Sequence, residues 1–304
     1  MVANLFRKTN LTSWTLSFLS IFLTIYFFQS STPLNNQETL FEALRALGKS
    51  IVVLLLLGIF IYTKSKFRDL TISPYILLSF PLVLLFVPKE SIQLDGILLT
   101  LFLLLAFFNL SSLERTKESS KPLFNVSLLF TFLTLFEPKL YLLFLTLLFV
   151  LALNKGINLR SLITVVTPIV VLNFLFSTLQ LAMGFELEAI FWEIKPVVYS
   201  LQSSELISYV VFVVWVGGLN FFSKAAQRIS GVNTLFFFFM NLIGLGVLLL
   251  TIEPQGPVNF YEITLLPLVY FTGLAFEGRS PRQVNWIVFF LLLLKGGLLF
   301  YTRS

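Results

Sequence analysis

From Gly96 to Leu113 the chain reads GILLTLFLLLAFFNLSSL, eighteen residues without a charge. Apolar residues fall on every side of this run when it is wound as a helix, so it lacks the polar stripe of a helix on a soluble core. At 1.5 Å per residue it is about 27 Å long, close to the ~30 Å hydrocarbon thickness of a bilayer. In lipid the backbone has no water to bond, and a helix satisfies its N–H and C=O groups internally.

Comparable runs occupy Leu11–Phe28, Leu47–Thr63, Ile72–Val87, Leu123–Phe136, Leu140–Leu153, Leu162–Gln180, Leu206–Phe222, Val232–Ile252, Phe260–Phe276 and Asn285–Tyr301. They predict an all-α fold: a polytopic transmembrane helical bundle of about ten or eleven spans, forming a single integral membrane domain over residues 1–304. The runs Leu123–Phe136 and Leu140–Leu153 hold 14 residues each. Each reaches only about 21 Å as a helix. They read either as short helices lengthened by their flanks or as a re-entrant hairpin.

Composition agrees. Of 304 residues 57% are hydrophobic, 16% aromatic and 12% charged, with a mean hydropathy of +0.91. Soluble domains carry roughly 25% charged residues. Cys and His are both absent. Thiol nucleophiles, zinc–thiolate centres, His-ligated iron and Ser-His-Asp triads are therefore excluded, and no cofactor or metal site is expected. Any catalysis would rest on Asp, Glu, Lys, Arg, Tyr or Ser. The net charge of +6 is scattered singly and in pairs between apolar runs, which suits topology rather than nucleic acid.

Charge sets the expected orientation. With the N-terminus in the cytoplasm, 14 Lys and Arg residues, from Arg7 and Lys8 to Arg279 and Arg282, fall inside, and 5 (Arg45, Lys49, Lys89, Lys139, Lys195) fall outside. That is the bias of the positive-inside rule. The acids divide the other way, 11 outside and 4 inside, so the outer face is net −6 and the inner +10. The first run follows Arg7-Lys8 and lacks a small-residue cleavage site at Phe28-Gln29-Ser30-Ser31, which reads as a retained signal anchor. Proline turns at Phe86-Val87-Pro88-Lys89, Phe136-Glu137-Pro138-Lys139 and Ile252-Glu253-Pro254 punctuate the runs. They read equally as a weak duplication or as independent helix stops.

Two outer loops exceed what a connector needs. In Gln29–Lys49, Asn36 can cap a helix with Leu40, Phe41, Leu44 and Leu47 on one face and Glu38, Glu42, Arg45 and Lys49 on the other. This predicts a short amphipathic helix lying on the outer interface. Glu38 and Glu42, one turn apart, are the candidate catalytic carboxylates, because like charges that close can raise one pKa and supply a base. Alternatively they are part of a solvated face of ion pairs. In Leu181–Glu205 an apolar stripe of Leu187, Ile190, Phe191 and Ile194 predicts a second interfacial helix, or a lid, ended by Pro196.

Polar groups inside apolar runs complete the candidates. Lys295 stands about ten residues into the last run, where a charge is either paired and functional or snorkels past Gly296-Gly297. Glu262 is its candidate partner. Asn173 and Asn241 lie within spans and suit interhelical hydrogen bonds. Arg45, Lys295, Asn173 and Asn241 are the candidate substrate-binding residues.

The opening Met1-Val2-Ala3-Asn4-Leu5-Phe6-Arg7-Lys8-Thr9-Asn10 and the closing Tyr261-Glu262-Ile263-Thr264-Leu265-Leu266-Pro267-Leu268, with the Trp286-led last run, resemble an uncharacterised multi-pass inner-membrane family of Bacteroidota. The resemblance implies a bacterial inner membrane with the acidic loops in the periplasm; no catalytic residues carry over from it. A second resemblance, of architecture only, is to GT-C-type membrane glycosyltransferases that use polyprenyl-phosphate sugars. It would place Glu38 or Glu42 at the acidic catalytic position of the first outer loop. This chain departs from that class in its length and in having no Asp in that loop.

The expected function is a structural or accessory component of a cell-envelope assembly, partnered by the bilayer and by other envelope membrane proteins. The alternatives are a polyprenyl-phosphate-dependent glycosyltransferase and a transporter or handler of a lipid-linked intermediate. No nucleic-acid partner is expected.

Overall fold

The computed structural model describes residues 2–6, 10–28, 38–66, 73, 75–87, 94–113, 120–136, 138–154, 158–183, 204–221, 238–246, 260–277 and 279–301. Among them the only regular elements are helices: α1 (Val2–Phe6), α2 (Leu11–Leu23, continued by a π turn over Thr24–Phe28), α3 (Glu38–Lys66), α4 (Ile76–Phe86), α5 (Leu94–Leu113), α6 (Ser120–Phe136), α7 (Leu143–Asn154, entered through a 3-10 turn at Pro138–Leu142), α8 (Leu159–Ala182), α9 (Ser204–Phe221), α10 (238–246), α11 (Phe260–Phe276) and α12 (Pro281–Tyr301). The predicted apolar stripe from Leu187 to Ile194 and the turns at Pro88 and Pro254 lie outside the described residues, as do Asn36 and the ends of the predicted run Val232–Ile252.

Local chemistry sets where several helices begin. Asn10 and Asn158 each open a capping box with the serine three residues on. The Ser13 N–H donates to Asn10 Oδ1 at 3.0 Å and the Asn10 N–H to Ser13 Oγ at 3.0 Å. Ser161 and Asn158 repeat the pair at 2.7 and 3.1 Å. Two donors that the first helical turn would otherwise orphan are satisfied each time. At α12, Ser280 and Gln283 form the same reciprocal pair around Pro281, whose missing N–H is harmless at the first helical position.

The amphipathic segment beginning near Glu38 and the run Leu47–Thr63 are not separate elements. They form one continuous helix of 29 residues, α3. Ala43 to Leu47 are good helix formers, and the single Gly48 costs only about 1 kcal/mol. The two 14-residue runs are lengthened by their flanks. α6 spans 17 residues, and the 3-10 turn adds five to α7.

The described helices fall into two compact units. In the first, residues 1–97, 198–230 and 264–304, α4 is the core. All but one of its eleven residues are buried, and α1, α2, α9 and α12 pack around it. A helix apolar on every side must be surrounded. Phe86 stacks on Phe212 of α9 with centroids 4.5 Å apart, and Ala3 N–H donates to Asn285 Oδ1 at 2.9 Å, tying α1 to α12. Gly273 of α11 passes so close to the entry of α4 that a Cβ there would lie 3.3 Å from Ser73 Cβ. α3 turns Ala46, Ser50, Val53 and Leu57 inward while Leu44, Leu47, Ile51 and Leu55 stay exposed.

In the second unit, residues 98–197 and 231–263, the most extensive packing joins α6 to α8. Val126, Ser127, Phe130 and Thr131 form the buried stripe of α6. Phe102 packs on Phe132, Phe130 meets Phe144 edge-on, and Phe107 stacks on Phe239. By contrast, α8 buries only Val165 and Pro168. Among the described residues α8 is the one helix long and apolar enough to cross a membrane; seven other apolar helical segments are shorter.

Candidate functional site

One helix in each unit carries a proline with a serine hydroxyl of a neighbouring helix close by. Pro81 has no N–H, so the carbonyl four residues earlier, on Leu77, lacks its helical donor. Ser17 of α2 supplies the missing bond: its hydroxyl donates to Leu77 O at 2.9 Å, and both residues are 0% exposed. In α8, Pro168 removes the helical donor to the carbonyl of Thr164. Ser127 of α6 donates to Val165 O at 2.5 Å, one residue beyond the carbonyl that Pro168 itself orphans.

Asn173, one turn after Ile169 in α8, is a structural bridge. Its Nδ2 donates to Ile169 O at 2.7 Å, and its Oδ1 accepts from the Tyr141 hydroxyl at 3.1 Å. Asn241 of α10 lines an open groove of about 660 Å³ together with Leu145, Thr146, Phe149, Met240 and Leu245. The lining is apolar apart from Thr146 and Asn241, and the Thr146 hydroxyl is already donated to Leu143 O at 2.6 Å.

In the first unit, Lys295 of α12 is half-buried, with Nζ 5.7 Å from the centroid of the Phe86 ring. That distance suits a cation–π contact, and Phe86 closes α4, so the ammonium lies level with a helix end. Arg45 is exposed on α3. Glu38 and Glu42 belong to the first turns of α3, but their side chains, like that of Glu262, lie outside the described residues. Asn173 and Asn241 belong to one unit and Arg45 and Lys295 to the other. Among the described residues no three carboxylates come together as a metal site would require.

A polar seam between α9 and α11 went unmarked in the sequence. The hydroxyls of Tyr209 and Thr264, both buried, are hydrogen-bonded to each other. Farther along α9, the Asn220 amide donates to Val216 O at 2.9 Å and across to Phe271 O at 2.8 Å. Beyond it the Arg279 guanidinium reaches Leu219 O at 3.4 Å. Asn220, two residues after Gly218 in an apolar run, was a visible signal of the same kind as Asn173 and Asn241. Compared with protein-family models, curated proteins and solved structures, the chain matches none of them.

Proposed function

We propose that this chain is a multi-pass protein of a bacterial inner membrane, related to the Bacteroidota family it resembles, and a structural or accessory component of a cell-envelope assembly. One observation carries the membrane reading: an 18-residue window of α8 has a mean hydropathy of 2.1, yet only 11% of it is buried. Ile163, Val166, Val170, Val171, Phe174, Leu175 and Leu179 are all exposed. At about 1.5–3 kcal/mol for each large apolar side chain left in water, that face would cost on the order of the 5–15 kcal/mol by which a whole domain is stable. In hydrocarbon the same face costs nothing. The Ser17 hydroxyl on the carbonyl that Pro81 orphans supports the reading, since neighbouring hydroxyls are one way membrane helices accommodate proline.

The accessory role is supported by where the polar groups are used. Ser17, Ser127, Asn125, Tyr141, Asn173 and Asn220 each bond another helix. Their polarity serves helix association rather than a substrate. A second reading, a handler of lipid-linked intermediates, draws on the groove beside Asn241, whose apolar walls suit a single lipid chain. The glycosyltransferase reading keeps the positions of Glu38 and Glu42 in the sequence.

Because the chain has no Cys, single cysteines report topology cleanly. With the N-terminus inside, Ser91→Cys and Ser203→Cys should react with a membrane-impermeant maleimide in spheroplasts, while Ser119→Cys and Ser280→Cys should react only after permeabilisation. The reverse pattern would overturn the orientation, and release of the chain by alkaline carbonate would overturn membrane integration. Purification in a mild detergent should bring down partner proteins; a lone monomer would count against the accessory role.

A further inference from the structure

We draw no further inference here: the strongest candidate, the open apolar groove between α7 and α10 beside Asn241, carries nothing beyond the reading already given, because nothing in the structure shows what covers it.

Discussion

Helices α4 and α8 are built from the same materials and have opposite surroundings. Both are rich in Leu, Ile, Val and Phe, both contain a proline, and each receives a serine hydroxyl from a neighbouring helix near that proline. Yet α4 is enclosed along its length, whereas α8 buries Val165 and Pro168 and leaves most of its large side chains exposed. In water the exposed face of α8 would be costly. On the proposed membrane reading both are stable, because hydrocarbon receives an apolar face as readily as protein does. In such a chain hydrophobicity marks the helices, while packing and polar contacts decide their neighbours.

Matched truncations give the largest expected difference. Phe80→Ala in α4, where the ring is 1% exposed, should destabilise by about 3–5 kcal/mol, the range for emptying a packed site. Phe174→Ala in α8, where the ring is 69% exposed, should cost well under about 1 kcal/mol in detergent. Denaturation midpoints of the two variants check this, and equal losses would abolish the distinction between the helices.

Next in size is the proline carbonyl. Ser17→Ala leaves Leu77 O buried without its donor and should cost about 1–3 kcal/mol. Pro81→Ala restores a helical N–H at the position that can serve the same carbonyl. In that background the serine should matter less, and a double-mutant cycle measures the coupling. An additive cycle would show that the hydroxyl is not substituting for the missing helical bond.

The smallest effect is expected at Tyr141→Phe, which removes the hydroxyl donated to Asn173 and should cost about 0.6–2 kcal/mol. A larger loss, or one accompanied by release of co-purifying proteins, would mean that this bond supports more than the α8 packing.

Much of the helical layout was legible beforehand. The run Phe260–Phe276 coincides with α11, and Gly96–Leu113 differs from α5 by two residues at its start. Those runs end where charge or proline begins, and long apolar runs without clusters of proline or glycine favour the helix. The Asn10–Ser13 and Asn158–Ser161 caps were written in the chain as Asn-Leu-x-Ser but carry no hydrophobic signal, so α2 and α8 were placed without them. Fusion of the first loop helix with the second run into α3 was hidden by the change of polarity at Gly48, because charge pattern varies along a helix without breaking it.

The candidate site was less legible. Asn173 was expected to bond between helices, and it does, to Tyr141. Asn241, Arg45 and Lys295 could be picked out as polar residues in or beside apolar runs, but their neighbours could not. Composition and spacing alone establish an apolar, helical chain without thiol or imidazole chemistry, because those properties depend on which side chains are present and on distances of a few residues. Contacts such as Ser17 with Leu77, sixty residues apart, and Asn220 with Phe271, fifty-one apart, emerge only when the helices pack. Local periodicity holds no record of which carbonyl a distant hydroxyl or amide will meet, and those meetings separate the enclosed α4 from the exposed α8.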